Sequence, residues 1–143
     1  ASNGTSIEAS SAYIDVVKEE ALQNGLAERV NYKQGDFTTT ATDVDSADIV
    51  TLDKVICCYD DMSELVGLSS KLAQKIYAVI YPRDVWWTKL GFLMMNFYTK
   101  IKGSSFRTFI HPSKKVEEII FGNGLKRNYY ATTLVWQVAI FTR

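Results

Sequence analysis

The apolar positions of this chain change their period several times, and each change marks an element. Residues 3–8, NGTSIE, read as a short strand ending in Glu8. Tyr13, Val16, Val17 and Ala21 then recur at helical spacing behind Ser10 and Ser11, either of which can cap, and Asn24-Gly25 stops the helix. Residues 29–34 alternate as a second strand and end at Gly35-Asp36-Phe37. A polar stretch, TTTATDVDSAD, forms a loop with room for a short turn. Residues 48–52 read as a buried strand that runs into the carboxylate of Asp53 and an apolar loop, Val55 to Tyr59.

Asp60 and Asp61 precede a helix over 62–74, where acids suit the positive end of the helix dipole. Leu65, Val66, Leu68 and Leu72 are its inward positions. KIYAVIY, 75–81, is the most strand-like run, and its near-continuous apolar content predicts burial on both faces. A long aromatic helix follows over 85–102, then an extended piece at 107–110 and a helix from Pro112-Ser113 to about Phe121. Gly122-Asn123-Gly124 is a break, after which 125–134 and 136–142 alternate as two strands that can pair as a hairpin.

Strands alternating with helices predict a mainly parallel α/β sheet covered on both faces, ending in an antiparallel pair. The 143 residues predict one domain, 1–143. Sixteen basic and sixteen acidic side chains cancel, so nothing calls for nucleic acid or an anionic membrane, and membrane contact is not expected. The adjacent Cys57 and Cys58 diverge too far to bridge and lack the spacing of a metal pair, so they read as small buried hydrophobes in a reducing, cytoplasmic setting. No metal site is expected. Asp43, Asp45 and Asp48 lack the Gly and closing Glu of a calcium loop.

In open α/β sheets, ligands bind outside the carboxyl ends of the strands. Glu8 and Asp36 stand at two such ends. A carboxylate can accept two ribose hydroxyls at once, and an acid after Gly35 can accept from an adenine amino group with Phe37 packing on the ring. His111 can face a substrate as a base or serve as an ordinary loop histidine. In the aromatic helix, Trp86, Leu90, Leu93, Phe97 and Ile101 line one face and Trp87, Met94 and Tyr98 a second stripe. Core packing is the first reading of such a helix. A lid over a bulky apolar substrate comes next, and a membrane or partner surface last.

SIEASSAYIDVVKEEALQNGLAERVNYKQGDF and ADIVTLDKVICCYDDM resemble the class I S-adenosylmethionine-dependent methyltransferases, a Rossmann-like family. The longer segment is similar to the family's second strand with its ribose acid, a helix, the third strand and the Gly-Asp-Phe turn. The shorter one is similar to the fourth strand and the loop that meets the methionine part and the acceptor. YPRDVWWTKL and RTFIHP look somewhat like magnesium-protoporphyrin methyltransferases. The resemblance implies methyl transfer from S-adenosylmethionine to a small, bulky and apolar acceptor. It assigns Glu8 and Ala9 to the ribose side and Gly35, Asp36 and Phe37 to the adenine. Leu52 and Asp53 fall to the methionine side, and Cys58, Tyr59, Trp87 and His111 to the acceptor; no catalytic residue is assigned. The family's first strand and Gly-rich loop find no match here, and in the family that strand lies between the second and fourth. The expectation is therefore an N-terminally truncated sheet whose open seam is closed directly or by another chain, with a homo-oligomer such as a dimer as the form. A non-catalytic, self-associating remnant of the scaffold is the alternative, so enzyme status stays open.

Overall fold

A computed structural model describes residues 3–143. The chain divides into two compact units, Ala1–Val44 and Asp45–Arg143.

In the first unit β1 (Gly4–Glu8), α1 (Ser11–Gln23), β2 (Val30–Gln34) and the single turn α2 (Phe37–Thr40) follow one another. β1 and β2 pair in parallel, Gly4 opposite Val30 and Glu8 opposite Gln34. α1 is the crossover that a parallel pair requires. Leu26 N–H closes its end on Ala21 O at 2.7 Å, and the chain turns at Gly25 with φ 66°, a conformation that favours glycine. Ser10 occupies the N-cap position, but its side chain makes no capping bond. The buried positions of α1 are Ile14 and Ala21, with Val17 half-buried; of the expected stripe Val17 and Ala21 face in, whereas Tyr13 and Val16 are exposed and Ile14 takes their place. A sheet of two strands gives the helix a narrow line to cover, and positions seven apart satisfy it.

The second unit holds β3 (Ala47–Asp53), α3 (Met62–Leu72), β4 (Ala73–Pro82), α4 (Trp86–Ile101), α5 (Ser113–Gly122), β5 (Lys126–Thr132) and β6 (Trp136–Thr142). Its sheet runs β3-β4-β6-β5. β3 and β4 are parallel, while β6 is antiparallel to both β4 and β5. The α/β class, the parallel pairs and the antiparallel finish all match the sequence reading. β3 differs: Ile49 is 51% exposed, and Val50 and Leu52 are half-buried. The sequence of a strand cannot show that one of its edges goes unpaired. Among the described residues β3 has β4 as its sole ladder partner, and no ladder joins β1 to β3.

β4 carries the core, with Tyr77, Val79 and Tyr81 at most 1% exposed. Leu65 and Val66 of α3, Val116 and Ile120 of α5, and Ala139 and Phe141 of β6 complete it. α3 ends at Leu72 and β4 begins at Ala73 with no intervening loop, so Gln74 belongs to the strand rather than to the helix. Burial of polar groups here is matched by bonding, as a low-dielectric interior demands. Ser69 Oγ donates to Leu65 O and lies 2.7 Å from Tyr77 Oη. Asn123 Nδ2 donates to Gly67 O and Ser70 Oγ, tying the end of α5 to α3. Gln137 is buried with both ends of its amide used. Nε2 donates to Pro82 O at 3.0 Å and Ser113 Oγ at 2.7 Å, and Oε1 accepts from Tyr130 Oη at 2.9 Å.

The core-packing reading of α4 does not hold. Thr88 is its sole fully buried residue, and apart from the half-buried Phe92 its large apolar side chains are exposed.

Gln137→Ala should lower the unfolding free energy by about 2–4 kcal/mol, because it opens a cavity and strands three partners of a buried amide. Urea denaturation checks it. Gln137→Glu, which keeps the shape but loses both donors, should also destabilise, whereas the more exposed Gln74→Ala should not.

Candidate functional site

Each unit places its chemistry at the carboxyl ends of its own strands. In the first unit, Glu8 closes β1 and its backbone carbonyl accepts from Gly35 N–H at 3.0 Å, which locks the strand end to the turn after β2. Gly35 has φ 151°, in the region where glycine is favoured. A Cβ there would sit 3.6 Å from the Thr40 methyl. The half-buried Glu8 carboxylate has no hydrogen-bond or ion-pair partner among the described residues, so its acceptor capacity is uncommitted. Asp36 caps α2: its Oδ1 accepts from Thr38 N–H at 3.0 Å and from Thr38 Oγ at 3.1 Å. That cap fixes the turn and sets Phe37 half-buried at the first helical position. Ala9 is exposed just past β1.

In the second unit, β3 ends at Asp53, opposite Ile80 of β4, with Leu52 opposite Val79. The chain then leaves the sheet through Lys54, whose φ of 57° is rare for a side chain of its size. Its N–H donates to Ile80 O at 2.9 Å, its carbonyl accepts from Cys57 Sγ at 3.2 Å, and its Nζ lies 5.5 Å from the Trp136 ring centre. A tight turn over Ile56–Cys58 follows. The segment before α5 holds that turn from the other side. Phe109 N–H donates to Cys57 O at 2.7 Å, and His111 Nε2 lies 2.9 Å from Tyr59 O. A carbonyl can only accept, so Nε2 carries the proton, which leaves Nδ1 of the neutral ring as an acceptor. The His111 ring stacks on Phe109 with centres 6.0 Å apart.

His111, Asp60, Asp61, Met62, Ser63 and Lys115 line an open polar depression of about 230 Å³. Asp61 also caps α3 through Glu64 N–H at 3.0 Å. Tyr59 and His111 thus come together, with the exposed Cys58 on the same turn. Trp87 is engaged elsewhere: its Nε1 donates to Leu134 O at 3.1 Å. Sequence reading missed Lys115 and Ser63. The available signal was the position of His111 next to the Pro112-Ser113 helix start, which brings the first turn of α5 beside it.

The two cysteines differ. Cys58 is exposed. Cys57 is buried, and burial, then the neighbouring Cys58, pushes its thiol from 9.0 up to about 12. Their sulfurs stand 3.8 Å apart as free thiols. The buried-hydrophobe reading therefore holds for Cys57 and fails for Cys58. The expected divergence of the two side chains is not seen: both sulfurs turn toward Lys54 O, at 3.2 and 3.9 Å, and only the degree of burial separates them.

The element order, the two parallel pairs and the antiparallel end of the sheet are those of a Rossmann-like fold that solved methyltransferases share. Among solved structures, the chain is similar to an O-methyltransferase family protein from Burkholderia thailandensis, with TM-score 0.74 and 15% identity over 99% of this chain and 43% of that one. It is also similar to magnesium protoporphyrin IX methyltransferase from Synechocystis PCC 6803 with bound SAH, with TM-score 0.72 and 17% identity over 97% of this chain and 63% of that one. The mitomycin 7-O-methyltransferase MmcR matches at TM-score 0.64 and 20% identity, with 99% of this chain and 42% of that one covered. The chain thus spans less than two thirds of the length of each of these structures. No family model and no curated protein matches the chain. No helix among the described residues is long and apolar enough to cross a membrane.

A thiol reagent at neutral pH should label one cysteine quickly and the other only on unfolding, with Cys58→Ser removing the fast phase; mass spectrometry reads both. Because the folded Cys57 holds its proton more tightly than the unfolded chain does, its contribution to stability is intact below pH 9. It is lost as pH rises from 9 toward 12. Cys57→Ala should flatten that part of the pH–stability curve, measured by chemical denaturation.

Proposed function

We propose that this chain carries the cofactor and acceptor ends of an S-adenosylmethionine-dependent methyltransferase acting on a small, bulky and apolar acceptor. The reading rests above all on one observation. Parallel strands of this fold end in Glu8 on one unit and Asp53 on the other, while the turn after β2 presents Asp36 and Phe37. The uncommitted carboxylate of Glu8 suits the two hydroxyls of a ribose, and the Asp36–Phe37 turn suits an adenine. In the first unit these residues, with Ala9 and Gly35, would hold the adenosine part. In the second, Leu52 and Asp53 would serve the methionine side.

The bound cofactor would supply a methyl group made electrophilic by its sulfonium. The protein's task is then to hold the acceptor in line and keep water out. Tyr59, Cys58 and His111 would contact the acceptor, and the unprotonated Nδ1 of His111 can accept a proton from a hydroxyl as it becomes a nucleophile. Cys57 takes no part, since burial keeps it a thiol. Trp87, turned to Leu134, is a weaker candidate for the acceptor than the other three.

A second reading is a self-associating, non-catalytic protein on this scaffold. The outer edge of β3, which has no ladder partner among the described residues, favours it, since such an edge templates pairing with another chain.

Thermal unfolding with S-adenosylhomocysteine separates the two. At a hundredfold excess over its dissociation constant the ligand should add about 2.7 kcal/mol of stability. Glu8→Ala and Asp36→Asn should each weaken binding about tenfold or more. A chain that elutes as an oligomer and shows no ligand-dependent shift would overturn the methyltransferase reading in favour of the alternative.

A further inference from the structure

α4 is amphipathic the wrong way round for a core helix. Thr88 is buried, and Asn96 binds the chain beneath it. Asn96 Nδ2 donates to Thr108 O at 2.7 Å, and Asn96 Oδ1 accepts from Thr108 N–H at 2.9 Å and Thr108 Oγ at 3.0 Å. Thr99 Oγ donates to Asn96 O. The inward face thus carries Thr88, the half-buried Phe92, Asn96 and Thr99, and the bonds of Asn96 to Thr108 fix the rotation of the helix. On the outward face Trp86, Leu93, Phe97 and Ile101 are each at least 66% exposed, and Leu90, Met94 and Tyr98 at least 50%. At ~100° per residue these positions fall in one continuous arc about 140° wide. Leu134, 73% exposed in the turn that Trp87 binds, extends the same apolar surface.

Charge decides what covers it. From residue 85 to 116 the chain carries Lys89, Lys100, Lys102, Arg107, Lys114 and Lys115 and not one acid, although the whole chain is neutral. On the helical projection Lys100 borders one side of the arc, beside Lys89, which is paired to Asp84 at 2.6 Å, and Lys102 borders the other. A second copy of this face would set lysines against lysines. A small acceptor would need a concavity, and the hollow beside Leu93 and Asn96 lies at the edge of the arc and is open to solvent. A flat, anionic, apolar-beneath partner matches both the arc and its cationic borders. Sixteen residues are too few to span a bilayer, and the helix is not a membrane-crossing one.

We propose that α4 is an interfacial anchor, lying in the plane of an anionic lipid surface with its Trp, Leu, Phe and Ile side chains among the acyl chains and its lysines at the headgroups. Trp86 and Tyr98 have the mixed character that headgroup depth favours, and long lysine stems can run along the apolar face while their charges stay in water. The neutral sum of the whole chain hides the segregation, which is why the sequence reading expects no membrane contact.

The test uses the whole chain with vesicles of phosphatidylcholine alone and of phosphatidylcholine with a minority of phosphatidylglycerol. Sedimentation and tryptophan emission are the readouts. The anionic vesicles should bind it at least about tenfold more strongly than neutral ones, with a blue shift and with loss of binding at high salt. Leu93→Gln with Phe97→Gln, and separately Lys100→Glu with Lys102→Glu, should each reduce binding about tenfold, with circular dichroism unchanged. Should the variants unfold, the lipid-charge and salt dependence of the unaltered chain still decides. Equal binding to both vesicle types, or no binding, overturns the proposal. So does self-association that the Leu93→Gln, Phe97→Gln pair abolishes, which would make the face a contact between copies. S-adenosylhomocysteine binding is read separately and bears on the methyltransferase reading alone.

Discussion

Everything in the second unit depends on β4 having a hydrogen-bonded partner on each edge. Parallel β3 lies on one side and antiparallel β6 on the other, and the alternation of Tyr77, Val79 and Tyr81 into the core follows from that position. Two large tyrosine rings in a dry interior fill volume that aliphatic side chains would leave open, at the cost of a polar atom each. Tyr77 meets that cost through Ser69, a serine that a helix would otherwise expose. Burial pushes both phenols above their usual range, so both stay protonated where the protein is folded. The same strand sets the site: Ile80 is opposite Asp53 and accepts the Lys54 N–H, so the turn that carries the cysteines starts from a fixed point.

Periodicity made most of the element order legible, because long runs such as KIYAVIY and the segment after Gly124 have one period each and clear breaks around them. What it could not show was context. The apolar run of β3 reads as buried because the sequence carries no mark of an absent neighbour. In α1, Val17 and Ala21 face in as their spacing indicates, but Ile14 rather than Tyr13 is buried at the start of the helix. α4 is the sharpest case. A helix apolar over much of its surface has no sequence signal for which side faces in, and here three short polar side chains, Thr88, Asn96 and Thr99, win the inward position. For Asn96 and Thr99 the reason is that the segment at 106–108 offers backbone groups that only polar side chains can satisfy.

The candidate site was legible where residue type and strand end coincide. Glu8, Asp36 and Asp53 stand at such ends, and the resemblance named them together. The acceptor side was legible only in part. Tyr59 and His111 were single residues fifty-two positions apart, and a backbone carbonyl rather than a side-chain pair joins them. No spacing rule records a contact of that kind. The two cysteines had the same neighbours in sequence and opposite fates in structure.

The turn at Ile56–Cys58 is held by bonds that owe nothing to the open edge of β3. Lys54 is tied to β4, and Cys57 and Tyr59 are tied to the segment before α5. A strand added along β3 would pair with its outer backbone groups and bury Ile49. It would leave these contacts as they are, because they lie on β4 and on the 109–111 segment. The Ile56–Cys58 turn can therefore keep its shape whether or not that edge is filled. Within this unit, the edge governs how much apolar surface β3 exposes, while the geometry of Tyr59 and His111 is set independently by the opposite flank.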